Sequence, residues 1–226
     1  MTRLAQSHVL ITGAASGLGR RMALGVARRG GSLTLWDLDG DRLDTVRSEI
    51  AKLGARAETG VVDVSDRSAV YEAARRVAAP VDVLVNNAGV VHGKTLLELS
   101  DESIERSFAV NALALFWTVK AFLPSMVERN RGHLVTIASA GGLIGVPRLS
   151  DYSATKFAAV GLDESLRAEL ATTAPGVRTT VVCPYFIDTA CSRASRRDSL
   201  SCFPSWTRRR SVRRSCAPSS PTSGSS

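Results

Sequence analysis

Aromatic residues make up only 5% of this 226-residue chain, and its cysteines number four. Each scarcity excludes something. Three of the cysteines (191, 202 and 216) fall in the last stretch of the chain, without metal-ligand spacing or a disulfide framework. A zinc site or a disulfide-stapled fold is therefore not expected, and no metal ligand is assigned. No run of about 18 apolar residues stands out as long enough to cross a bilayer. The N-terminal "MTRLAQSHVLITG" enters a strand pattern with no signal-like apolar region ahead of it. These two readings point to a cytoplasmic protein with no membrane anchor.

Acidic residues are nearly absent from one region. From residue 190 onward eight arginines (193, 196, 197, 208, 209, 210, 213 and 214) face a single acid, Asp198, among twelve serines. The formal net charge of +8 is thus almost wholly a property of this tail, and residues 1–189 are close to neutral. A nucleic-acid partner is not expected for a body so balanced. The division gives one globular domain over residues 1–189 and a basic Ser/Arg-rich tail over 190–226, whose composition cannot bury a core and reads as disordered.

What the first 189 residues do contain is a regular alternation. "HVLIT", "SLTLWD", "AETGVVDV", "VDVLVNN", "GHLVTIAS" and "VRTTVVCPY" are β-branched apolar runs. Between them lie helix-like stretches at about 17–30, 40–53, 66–79, 101–130 and 151–172. Strands apolar along their whole length, rather than at every second residue, predict a parallel sheet with helices on both faces. The expected fold is α/β, a Rossmann-like doubly wound sheet whose ligand site lies beyond the carboxyl ends of its strands.

The polar residues fall at those ends. "TGAASGLG" (12–19) follows the first strand. Gly13, Gly17 and Gly19 allow a tight turn, and with Ser16 and Leu18 they open a helix whose N-terminus can receive a pyrophosphate. Such a turn alone also fits an ordinary strand-to-helix loop. Asp37, ending the second strand, adds a carboxylate where ribose hydroxyls would need an acceptor, although it also fits a solvated acid opening the next helix. Its charge repels a 2′-phosphate, and the glycine turn offers no Lys or Arg, so NAD is expected over NADP. Asp63, with Val64 after it, ends the third strand and can approach an adenine; a simple strand-end turn is the alternative. Tyr152 and Lys156 are four residues apart, hence on one helical face, where an ammonium would stabilise a phenolate otherwise formed only near pH 10. Tyr152 could then exchange a proton with a substrate oxygen. Ser139 can donate a hydrogen bond to that oxygen, and Asn111 can hold a relay water.

"TGAASGLG", "NNAG" (86–89), Asn111, Ser139 and the Tyr152–Lys156 pair, in this order and spacing over residues 8–189, resemble the short-chain dehydrogenase/reductase family. The resemblance implies hydride transfer between a nicotinamide and a substrate carbon, interconverting an alcohol and a ketone or aldehyde. It makes Tyr152 the acid/base, Lys156 a ligand of the nicotinamide ribose, Ser139 an orienting donor and Asn111 a relay support. It adds Asn87, Ala88, Gly89 and Pro184 as cofactor contacts, with Thr189 at the carboxamide. A homodimer through the long helix and the Tyr152 helix is also implied.

"DYSATKFAAVGLDESLRAEL" and "VRTTVVCPYFIDT" further resemble the retinol dehydrogenase and 17β-hydroxysteroid dehydrogenase-like branch, which acts on lipophilic alcohols. Members of that branch continue past the threonine with a Gly-Met-Phe type of sequence and end on a further strand. Here the chain turns instead to "ACSRASRRDSL". Two accounts of the change stand: a one-base frameshift near residue 190, since "ACSRA" can be encoded so that the neighbouring frame reads Gly-Met-Phe-Glu-Gly, or a genuine basic tail. On either account the last strand of the family sheet is expected to be missing. The competing functional reading is accordingly a non-catalytic nucleotide-binding remnant that lost its substrate pocket.

Overall fold

The protein's structure, a computed structural model, describes residues 4–185. Strand β1 (His8–Thr12) is buried at every position, which only a central strand covered on both faces can be. It pairs in parallel with β2 (Ser32–Asp37) on one side and β4 (Val83–Asn86) on the other. With β3 (Ala57–Val61), β5 (Gly132–Ile137) and β6 (Val177–Val182) the sheet runs β3-β2-β1-β4-β5-β6, parallel throughout. This is the expected doubly wound sheet. Its order reverses between β1 and β4, and a crevice opens there beyond the strand ends.

Alternate residues of the strands serve opposite layers. Val9, Ile11, Leu33 and Leu35 pack under α1 (Gly17–Ala27) and α2 (Gly40–Lys52), against Ala23, Val26, Leu43, Val46 and Ile50. Leu10, Leu84 and Leu134 face the other layer, where Val70 of α3 (Arg67–Arg75), Val119, Phe122 and Met126 of α5 (Ala114–Glu128) and Leu170 of α6 (Ser150–Thr173) close over them. A buried Leu or Val contributes about 1.5–3 kcal/mol, so these two layers carry most of the fold's apolar stabilisation.

Helix α4 (Asp101–Phe108) leads into α5 through a π-helical turn, Ala109–Leu113. The whole stretch Asp101–Glu128 is long and apolar enough to cross a membrane by length and composition. That corrects the expectation that no such run exists. Half of its apolar window is buried in the protein, where Phe122 and Met126 pack on the sheet. Among the described residues β6 pairs only with β5 and stands at the edge of the sheet. Thr189 and the tail 190–226 lie outside the described residues.

Candidate active site

Thr12, the last residue of β1, is buried and its hydroxyl accepts the backbone amides of both Asn87 and Ala88, at 3.0 and 3.1 Å. The Asn87 side chain returns the connection, donating to the carbonyls of Thr12 and Gly13 at 2.9 and 3.0 Å. The glycine turn and the loop after β4 are thereby locked together across the crevice. Space there is too small for side chains: a Cβ on Gly19 would lie 2.0 Å from the Gly13 carbonyl oxygen. Gly13 itself sits at φ +66°, with its missing Cβ 2.8 Å from Ala88 Cα.

The N-terminus of α1 differs from those of its neighbours. Asp39, Asp66 and Ser100 each cap the helix that follows with a side-chain oxygen. Ser16 makes no such bond, and no acidic residue stands in the first turn of α1. Its leading amides therefore keep their partial positive charge for an anion in the crevice. This donor set fits a pyrophosphate. Asp37 lies across from it, with Oδ2 accepting the Ala15 amide at 2.8 Å and Oδ1 the amides of Leu38 and Asp39 at 2.8 and 3.2 Å. Those bonds fix the carboxylate at the rim.

A cavity of about 340 Å³ runs from this rim to α6. Gly13, Ser16, Gly17, Leu18 and Asp37 line one end, with Asp63 and Val64 beside them. Asn87, Ala88 and Gly89 form the middle, and Tyr152 and Lys156 the far end. Four expected residues stand just outside. Gly19 backs the turn and Asn111 lies behind Val90. Ser139 caps a short turn, Ala140–Gly142, by accepting the Gly141 amide at 3.1 Å. Pro184 gives its carbonyl to the Ala140 amide at 2.9 Å, tying that turn to the end of β6.

Lys156 is buried to 5% exposure, its Nζ donating to the Ile137 carbonyl at 2.9 Å and standing 5.5 Å from the Tyr152 ring centroid. Ser139 Oγ and the Tyr152 ring converge on Gly141, at 3.5 and 3.7 Å from where a Cβ on that glycine would sit. Tyr152 and Lys156 thus line one end of the cavity, with Ser139 just outside it, across Gly141 from the Tyr152 ring. Asn111 occupies the π-turn. Its Nδ2 donates to the Val90 carbonyl at 2.9 Å and to Thr155 Oγ at 3.2 Å, and its Oδ1 accepts the Val90 amide at 2.8 Å. Such widened turns recur at functional sites; this one clamps the loop after β4 to α6.

Several contributors were not read from the sequence. Arg106 and Val110 line the cavity from α4 and the π-turn, and Val62 from beyond β3. Asp151, beside Tyr152, is buried; it accepts the Ser107 hydroxyl at 2.6 Å and stands 3.3 Å from His92 Nδ1. Burial alone would raise its pKa, but the bonds from Ser107, the Tyr152 amide and His92 outweigh that and hold it below the usual carboxylate value. These partners are 44 and 59 residues away, so no local motif announces them.

A family model described as short chain dehydrogenase matches residues 7–200. Among curated proteins the chain is 47% identical over 185 residues to estradiol 17-beta-dehydrogenase 11 of Homo sapiens, covering 80% of this chain and 62% of that protein. To epidermal retinol dehydrogenase 2 of Mus musculus it is 48% identical over 186 residues, covering 80% and 60%. The chain therefore spans about 62% of the length of such relatives. A short chain dehydrogenase/reductase from Burkholderia phymatum, solved with NAD, superposes with a TM-score of 0.81 at 34% identity, covering 87% of this chain and 71% of that one. An alcohol dehydrogenase from the archaeon Thermococcus sibiricus, solved with 5-hydroxy-NADP, gives 0.76 at 32% identity, covering 81% and 78%. With sheet order, glycine turn and family match in agreement, the chain belongs to the short-chain dehydrogenase family.

Proposed function

We propose that the protein is an NAD-dependent oxidoreductase that interconverts a secondary or primary alcohol and its carbonyl. The observation that carries the reading is one cavity with an uncapped helix N-terminus and Asp37 at one end and Tyr152 with Lys156 at the other. When bound, a nicotinamide supplies the hydride acceptor or donor. Everything else falls to side chains of this chain. In the oxidative direction the Tyr152 phenolate takes the hydroxyl proton while the carbinol C–H electrons leave with the hydride, giving the carbonyl and a neutral phenol. Lys156 favours the phenolate by charge, and Ser139 donates to the substrate oxygen. Asn111 has both amide hydrogens engaged, so its support for a water rests on the remaining lone pair of Oδ1 and on the widened backbone turn.

NAD over NADP follows from the fixed Asp37 carboxylate, which would repel a 2′-phosphate. A lipophilic substrate fits the exposed Leu96, Leu97, Leu143 and Ile144, on two segments linked by the Arg148–Glu98 ion pair at 4.0 Å. A homodimer fits Phe116 of α5 and Phe157 of α6, each more than two-fifths exposed, with Leu113 beside them. The cytoplasm is proposed as the compartment.

The reading is tested by assaying the full chain on a panel of secondary alcohols with NAD, beside Tyr152→Phe. Turnover that collapses in the variant supports it. Turnover that survives the loss of the phenol removes Tyr152 from the mechanism.

A further inference from the structure

Between β3 and α4 two side chains 43 residues apart meet at the border of the cavity. Arg106 Nη1 donates to Asp63 Oδ2 at 3.1 Å and to Ser65 Oγ at 2.6 Å. Ser65 in turn gives Asp63 Oδ1 its hydroxyl at 2.6 Å and its backbone amide at 2.9 Å. Burial would raise the Asp63 pKa, yet the two bonds from Ser65 and the bond and charge of Arg106 bring it below the ordinary carboxylate value. The carboxylate is anionic and held from two sides. Oδ2 carries one of these bonds and keeps acceptor capacity.

The surroundings specify a ligand. Val62, Val64 and Val110 line the same cavity as Asp63, placing apolar side chains near an acceptor. A purine with an exocyclic amino group matches both features. An oxo group in that position would set two acceptors against each other. Resting on the reading that NAD occupies this cavity, we propose that Arg106 is a positioning residue that locks Asp63 as an ionised acceptor for the adenine amino group, and so determines base specificity. Without the guanidinium, Asp63 keeps only its Ser65 tether. It can then turn away, or take a proton and donate to an oxo group, and discrimination is lost.

The test compares two ligands by calorimetry on the full chain: NAD and its deaminated analogue, nicotinamide hypoxanthine dinucleotide. The parent should prefer NAD by about tenfold, the scale of one hydrogen bond to a charged group. Arg106→Gln should bring the two affinities to within about threefold, chiefly by weakening NAD, and Arg106→Lys should restore part of the preference. Melts of the ligand-free variants check that each is folded. A purely structural role for Arg106 would weaken both ligands alike; an unchanged ratio in Arg106→Gln, or a parent that binds both equally, overturns the proposal. A parent that binds neither ligand overturns the cofactor reading itself, and this inference with it.

Discussion

Ser107 Oγ donates to Asp151 Oδ2 at 2.6 Å with both residues buried, joining α4 to the first turn of α6 one residue ahead of Tyr152. The bond anchors the helix that carries the proposed acid/base. Truncation to Asp151→Ala removes that acceptor and leaves Ser107 Oγ only His92 Nδ1, at 3.2 Å, at a cost of about 1–3 kcal/mol. A double-mutant cycle with Ser107→Ala, read by urea unfolding, should return a coupling of at least about 0.5 kcal/mol. Strict additivity would show that the pair does not act as a unit.

The same carboxylate gives the fold an acid limit. The Asp151 pKa is lowered in the native state, so its contribution to stability is present above the unfolded value of about 3.9 and is lost as pH falls through the folded one. Chemical denaturation between pH 7 and pH 3 should show a loss of stability that is smaller in Asp151→Asn. Equal acid sensitivity in both proteins would contradict this.

Asp163 runs the other way. It is buried on α6; desolvation, reinforced by Glu164, raises its pKa against the opposing bond from Thr179 and the charge of Arg167. Its stabilising contribution is present below the unfolded pKa and is gone once pH passes the folded one. Asp163→Asn keeps a side-chain oxygen for the Thr179 hydroxyl and should stabilise the protein at pH 7 by on the order of 1 kcal/mol, about 2–4 °C in melting temperature. A lower melting temperature would mean that the charge is needed.

Asp37 has two tasks: it holds the Ala15, Leu38 and Asp39 amides and is proposed to accept ribose hydroxyls. Asp37→Asn should weaken NAD by about tenfold and narrow the NAD-to-NADP ratio, because the repulsion of a 2′-phosphate disappears with the charge. Fluorescence titration with the two reduced cofactors measures both. An unchanged ratio would place cofactor choice elsewhere.

The readable parts of this chain are those whose cause is local. All six strands and the helices between them follow from continuous apolar runs and turn residues, with edges shifted. The third helix stops at Arg75, with Arg76 as its C-cap, rather than near 79. The glycine turn and the Tyr152–Lys156 spacing are local too. The π-turn is not: its sequence continues the helical pattern, and the feature is tied to Asn111 bonding Val90 across the crevice. Arg106, Ser107 and His92 were invisible for the same reason, since their partners are 43 to 59 residues away.

Whether these residues assemble a working dinucleotide site is read from a thermal melt of the full 226-residue chain with and without NAD. At about 100 times its dissociation constant NAD should add about 2.7 kcal/mol to native stability, which shifts a cooperative transition upward by several degrees. A transition that saturating NAD leaves in place, or aggregation that it does not delay, would contradict the account.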